Sequence, residues 1–190
     1  IALAGSVAGG IVVAENAQMI QLAGGNLTEV RSYQAAGGSI LAEKKNGKWQ
    51  QYLYDGDGQL TDMTYKGKDY YFIRDNLRVI TGLVDSEGKA VVNYRYNSWG
   101  KLLGITGSMA ESLGKDNPYR YKGYYYDEET GMYYLKNRYY DPEICRFISA
   151  DDVTVMIDSP MSLGDKNLYA YSDNDPINKK DEDGEFAQFV

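Results

Sequence analysis

The chain has no histidine, one cysteine and four prolines among its 190 residues, and each shortage removes a class of function. Without an imidazole base, the triads that depend on one are excluded, and most transition-metal sites lose their usual ligand. A single thiol, Cys145, forms neither an internal disulfide nor a cysteine-based zinc site. With no His partner it reads as a packing thiol rather than a nucleophile. Basic residues are also outnumbered: 20 Lys and Arg stand against 27 Asp and Glu, for a formal charge of −7. A nucleic-acid surface needs a basic stripe, and none is present, so direct DNA or RNA binding is not expected. Any catalysis must therefore run on carboxylates, Tyr, Lys, Ser or Cys.

Long apolar runs are missing as well. Residues Ile1 to Ala14, IALAGSVAGGIVVA, are apolar but interrupted by Gly5, Gly9 and Gly10, and they fall short of the roughly 20 residues that span a bilayer. The basic start of a signal peptide is absent. No membrane span is expected, and residues 1–38 are read as an apolar, Gly-rich segment, a buried strand or extended plug followed by strands bearing Ile20, Leu22 and Val30. Asn26-Leu27-Thr28 has the form of a glycosylation acceptor and is read as loop chemistry only.

What the chain does hold is tyrosine: 19 residues beside four Phe. An apolar ring with a polar tip suits sheets that pack on one face and meet water at the other, so the composition predicts an all-β fold. From residue 39 to 107 the turn signals become regular. Asn46-Gly47 is the strongest short turn pair. Asp55 to Gly58, Lys66-Gly67-Lys68, Asp75-Asn76, Asp85 to Gly88 and Asn97 to Gly100 follow, separating Leu60 to Tyr65, Tyr70 to Ile73, Val79 to Val84 and Ala90 to Tyr96. Turns about every ten residues are the spacing of an antiparallel meander. Asp or Asn opens each turn by accepting hydrogen bonds from backbone N–H groups ahead of it, and Gly closes it by adopting positive φ without strain. The turn-forming residues are thus Asp55, Gly58, Asp85, Gly88, Asn97, Gly100, Asp127 and Gly131. Because a meander cannot bury both faces by itself, these hairpins are expected to curl or stack on neighbouring units as a curved sheet, with a loop-rich C-terminal segment.

The densest stretch is Pro118 to Asp152, PYRYKGYYYDEETGMYYLKNRYYDPEICRFISADD. Tyr124-Tyr125-Tyr126 leads through Asp127 to Gly131 into Met132 to Leu135, then Arg138-Tyr139-Tyr140, then a second acidic turn at Asp141-Pro142. From Tyr119 to Asp151 this resembles the core of Rhs (YD-repeat) proteins, with the pattern RYxGxYxDxETGLYYxxxRYYDPxxGRFxSxD. Asn167-Leu168-Tyr169-Ala170-Tyr171, Asn174 to Asn178 and Asp181 to Gly184 resemble that family's closing motif. The resemblance assigns 39–107 to hairpin repeats, 108–185 to the repeat-associated core and 186–190 to the start of a variable C-terminal region.

The resemblance implies a bacterial polymorphic toxin or wall-associated protein, secreted or cell-surface, in which the β-shell encloses or presents a C-terminal effector. Its partners would be the remainder of the shell, that effector and a delivery apparatus or cell wall, with no cofactor and no metal. It also implies an aspartyl-protease-like dyad, Asp151 and Asp181, supported by Arg138 and cutting the chain near Glu185-Phe186. Such chemistry needs no His: two close carboxylates cannot both ionise cheaply, so one holds a proton as general acid while the other activates water. The chain departs from the pattern at Asp152 and Glu182, where Pro is usual, and at Glu185, where Leu is usual. Extra acids add repulsion around the dyad and remove a rigid turn. The aspartates Asp173, Asp175, Asp181 and Asp183 lack the order and spaced Glu of a calcium loop. Two other readings remain: a stand-alone carbohydrate- or partner-binding module using exposed Tyr, which a contiguous aromatic patch would favour, and a displaced fragment without independent activity.

Overall fold

The computed structural model describes residues 18–23, 26–36, 39–45, 48–150, 167–181, 184 and 187–189. Nine strands stand in chain order in one sheet: β1 (Gln18–Ala23), β2 (Asn26–Ala36), β3 (Ser39–Lys45), β4 (Lys48–Tyr54), β5 (Leu60–Tyr65), β6 (Lys68–Arg74), β7 (Ile80–Val84), β8 (Ala90–Tyr96) and β9 (Leu102–Thr106). The expected plug at Ile1 to Ala14 and the turn Asn46-Gly47 lie outside the described residues, as does the loop from Val153 to Asp165. Asn26-Leu27-Thr28 begins strand β2 rather than occupying a loop.

The chain divides into two compact units, one of Ile1–Ile73 with Leu83–Val91 and one of Arg74–Gly82 with Val92–Val190. In the first, pairing is antiparallel, with Tyr52 opposite Met63 and Met63 opposite Tyr70. Burial alternates along β4, where Gln50 and Tyr52 are buried between exposed neighbours. That is the period-two pattern of a sheet with one sealed face. Tyr52, Met63, Tyr65 and Tyr70 line the buried face. A carboxylate sits among them, because the Tyr52 hydroxyl donates to Glu43 at 2.7 Å and to Gln50 at 3.3 Å.

The turns that open on Asp55, Asp85 and Asn97 share one geometry, unlike the two-residue turn Lys66-Gly67, where both residues hold positive φ. Asp55 Oδ1 accepts from the N–H groups of Asp57 at 3.0 Å and Gln59 at 2.8 Å. Asp85 does the same with Glu87 and Lys89, and Asn97 with Trp99 and Lys101. Gly58, Gly88 and Gly100 hold positive φ, the left-handed residue of a turn closed by a bulge. The ladder registers shift at Tyr54 and at Tyr96 accordingly. Asp75 builds the same turn with Leu77 and Val79, but Arg78, at φ 61°, stands where the others have Gly.

The second unit holds the tyrosine core. After β9 come a single π-helical turn at Ala110–Gly114, close to the turn expected at Ser108 to Leu113, and a short 3-10 turn at Tyr121–Gly123. A four-stranded antiparallel sheet follows: β10 (Tyr125–Asp127), β11 (Met132–Leu135), β12 (Arg138–Asp141) and β13 (Arg146–Phe147). Tyr133 faces Tyr140 across β11 and β12, and Tyr134 faces Tyr139. Tyr121, Tyr124, Tyr133, Leu135, Tyr140, Phe147, Tyr171 and Val79 form one buried cluster. Tyr171 enters it from the C-terminal loops and stacks on Tyr140 with ring centres 4.0 Å apart.

Buried hydroxyls need acceptors, and three of these find them on one turn. Tyr121 donates to the Ser98 carbonyl at 2.8 Å, Tyr140 to Trp99 at 2.7 Å and Tyr133 to Gly100 at 2.8 Å. Gly100 is pressed against the Tyr121 ring, where an added Cβ would lie 2.5 Å from Cδ1. The turn that closes the β8–β9 hairpin is therefore seated on the tyrosine sheet by its own backbone.

Candidate functional site

The expected catalytic residues converge in part. Arg138 opens β12, and Asp181 ends the short strand β14 (Lys179–Asp181). Both are buried, Arg138 at 7% and Asp181 at 2% exposure, and Arg138 Nη2 lies 3.6 Å from Asp181 Oδ2. A buried carboxylate is tolerable only when countered and hydrogen-bonded, and here both conditions hold. Asp181 Oδ1 accepts the Gly184 N–H at 2.7 Å. The rest of the guanidinium is directed at backbone: Nε donates to the Gly184 carbonyl and Nη1 to Leu168 at 3.1 Å. The cation lies flat on Phe147, 3.7 Å from the ring centre.

Arg138 thus grips the segment that follows Asp181 as well as Asp181 itself. Gly184 permits this approach. Its φ is +83°, and a Cβ there would meet the Leu135 carbonyl at 2.9 Å and the Arg138 nitrogen at 3.1 Å. Beyond it β15 (Ala187–Phe189) returns antiparallel to β14, with Asp181 opposite Ala187. The expected cut between Glu185 and Phe186 falls in the connection between these paired strands. Asp151, Glu185 and Phe186 themselves lie outside the described residues, as do Glu182 and Asp183.

Around Asp181 the environment is aromatic and dry. The hydroxyls of Tyr124 and Tyr171 are 3.1 Å apart. Burial pushes both well above the ordinary phenol range, and the Asp181 charge adds to the effect. In the turn from Asp141 to Arg146, Asp141 accepts the Glu143 N–H at 2.8 Å, and Cys145 takes φ +60°. Partial burial and the charges of Asp141 and Glu143 raise the Cys145 thiol above its usual value, which keeps it protonated and a poor nucleophile. Asp127 accepts the Glu129 N–H at 3.2 Å, and Gly131 closes that turn at φ +72°.

One residue at this site escaped the sequence reading. Lys122, in the 3-10 turn before β10, is 2% exposed and has φ +51°. Its ammonium donates to the carbonyls of Pro176 at 2.6 Å and Lys179 at 2.5 Å. Burial lowers its pKa to about 8; Lys180 reinforces the shift, while Asp75 and Asp175 oppose it. In the motif Lys122 occupies a position open to any residue, so the pattern carries no signal for it.

Of the tyrosines whose side chains are described, Tyr71 and Tyr169 alone are exposed, at 44% and 42%, one in each unit. By the criterion set out for the sequence, sealed rings favour a wall over an aromatic binding patch. Among the described residues no cluster of Cys, Asp or Glu is arranged to hold a metal ion, and no helix is long and apolar enough to cross a membrane.

Comparisons with known proteins agree with this architecture. A family model described as Teneurin YD-shell matches residues 39–177. The tRNA3(Ser)-specific nuclease WapA of Bacillus spizizenii is 40% identical over 144 residues, which cover 74% of this chain and 6% of the relative. The tRNA nuclease WapA of Bacillus subtilis (strain 168) is 37% identical over 179 residues, covering 80% and 7%. Among solved structures, the crystal structure of TcdB2-TccC3 superposes with a TM-score of 0.65 at 20% identity, over 88% of this chain and 8% of that one. The TcdB2-TccC3-Cdc42 crystal structure gives 0.63 at 20% identity, over 83% and 8%. The structural likeness shows the fold, and the chain spans only 6 to 8% of the length of these proteins.

Proposed function

The chain belongs to the Rhs/YD-repeat shell family, and we propose that it is the closing part of a container wall in a bacterial toxin, where Asp181 and Asp151 cut the chain between Glu185 and Phe186. The wall encloses or presents a C-terminal effector, and the cut frees that effector from covalent linkage to the wall. Its partners on this reading are the rest of the shell, the effector, and a delivery apparatus or cell wall met outside the producing cell. The nuclease relatives are named for activity on tRNA; this chain, acidic and without a basic stripe, would house such an effector rather than act on nucleic acid.

The observation that carries the reading is Arg138's double grip, on the Asp181 carboxylate and on the Gly184 carbonyl. One interaction supports the ionised form of a buried acid; the other fixes the backbone immediately before the expected cut. In the proposed reaction one carboxylate of the Asp151–Asp181 pair removes a proton from water, whose oxygen attacks the Glu185 carbonyl carbon. The protonated partner stabilises the developing oxyanion. As the C–N bond breaks, a proton passes to the Phe186 nitrogen, leaving a carboxylic acid and an amine.

Intact mass spectrometry tests this on a longer chain extending past Val190, in wild type, Asp151→Asn and Asp181→Asn forms. The expected result is two fragments split at Glu185-Phe186 for the wild type and a single species for each variant. Full-length protein in all three overturns the self-cleavage reading and leaves the wall.

A further inference from the structure

We propose that Lys122 is a positioning residue for Asp181: its ammonium clamps the start of strand β14, whose end Arg138 anchors, by holding the carbonyls of Pro176 and Lys179. The proposal rests on the self-cleavage reading above and deepens it.

The case begins with how costly this residue is. A non-glycine residue in the left-handed region is disfavoured by about 1–2 kcal/mol per residue in steric terms, and an ammonium taken out of water is disfavoured further. A Met or Leu would fill the same volume without the second cost. Lys122 bears both, at φ +51° and 2% exposure, and what the ammonium gains is two short charge-assisted hydrogen bonds to backbone. Strain retained at one position marks a place the surroundings over-determine.

Those two carbonyls lie 54 and 57 residues away in sequence, and both belong to the approach to Asp181. Lys179 is the first residue of β14, two before the carboxylate, and Pro176 is the first residue of the turn that delivers the strand. β14 has three residues, too few for its own ladder to fix a side chain's direction. It is tethered from several sides: by β15, by the Lys179–Asp173 ion pair at 2.7 Å, by Arg138 at its end, and by Lys122 at its start. Of these, the Lys122 contact alone joins the strand's first carbonyl to the turn before β10, a buried part of the aromatic core.

The charges facing the Lys122 ammonium are Lys180, Asp75 and Asp175. Deprotonation of Lys122 converts two charge-assisted bonds into neutral ones of about half the strength, but it also removes the cost of burying the ammonium that lowers its pKa to about 8, so the folded arrangement as a whole gains as pH rises through that value.

The test is amide hydrogen exchange on the whole chain, reported as protection factors, for wild type, Lys122→Met and Lys122→Arg, together with the rate of cutting. The clamp predicts that Lys122→Met lowers protection at residues 179–181 by about tenfold while β11 and β12 keep theirs, that cutting slows, and that Lys122→Arg restores much of both. Unchanged protection at 179–181 in Lys122→Met overturns the proposal. Should Lys122→Met lose protection everywhere, Lys122→Arg decides: protection regained at residues 179–181 together with β11 and β12 supports the clamp, and any other outcome overturns it. If wild type is never cut, the dyad reading fails alone, and the exchange data still decide whether Lys122 holds the strand.

Discussion

Raising the pH should unfold this protein abruptly, because its core is sealed with ionisable rings. Tyr94, Tyr121, Tyr124, Tyr133, Tyr140 and Tyr171 are each 5% exposed or less, and burial raises all six phenols above their ordinary range, that of Tyr94 to about 12. A group whose folded pKa is raised stabilises fully below its unfolded pKa, near 10, and that contribution is lost as pH climbs toward the folded value. A ring still protonated at pH 11 opposes folding by about 1.4 kcal/mol, and six such rings by about 8 kcal/mol. Lys122 works the other way. With its folded pKa lowered to about 8, stability rises between pH 8 and the unfolded value near 10.4, by about 3 kcal/mol in all. One lysine cannot offset six tyrosines against a typical total of 5–15 kcal/mol. Stability should therefore peak near pH 9 and vanish between about pH 10.5 and 12. Tyrosinate absorbance at 295 nm and far-ultraviolet circular dichroism, followed together, should change in one coincident, steep step, and Tyr171→Phe should move it upward. A broad tyrosinate titration centred near pH 10 with the dichroism unchanged would refute the claim that these rings are sealed.

Other substitutions probe single contacts. Asp181→Asn keeps an acceptor for the Gly184 N–H but leaves the Arg138 guanidinium buried without its counter-charge, and should cost about 2–4 kcal/mol in urea denaturation. Gly100→Ala places a methyl 2.5 Å from the Tyr121 ring at a backbone φ of +86°, and should cost about 3 kcal/mol or more, with loss of near-ultraviolet dichroism. Cys145→Gly relieves a φ of +60° and should stabilise by about 0.5–1 kcal/mol, the relief of left-handed strain exceeding the added entropy of the unfolded chain. Asn97→Ala removes two turn hydrogen bonds and should cost about 1–2 kcal/mol, whereas Asn97→Asp should be nearly neutral by thermal melting.

The parts of the fold that were legible are those made by neighbours in sequence. An Asp or Asn that caps its own turn announces it within five residues, so the hairpins from Asp55, Asp85, Asn97 and Asp127 could be read directly. The turn at Asp75 was legible only at its start, since Arg78 occupies the left-handed position that Gly advertises elsewhere. Strand β14 was not legible: Lys179-Lys180-Asp181 shows no apolar alternation, and it is a strand because Arg138, Lys122 and β15 hold it. Arg138 and Asp181 could be paired through the motif alone, as their contact spans 43 residues of chain with no local signature. Lys122 was beyond reach for the same reason, its role being defined by carbonyls that any residue at positions 176 and 179 supplies. Composition foretold a tyrosine sheet, but which rings are sealed depends on Tyr171 arriving from the closing loops.

The seating of residues 98–100 on Tyr121, Tyr133 and Tyr140 has a consequence for how such proteins diversify. On the loop the three hydroxyls donate to main-chain oxygens, so these bonds do not depend on the identity of the loop they secure, provided the bend has the right curvature and a glycine where the first ring presses. Loop side chains there, apart from Trp99, which packs against the tyrosine cluster, can be exchanged between related shells without breaking these bonds. The phenols have less freedom, and Tyr133 least of all, since replacing it strands the carbonyl of the buried Gly100.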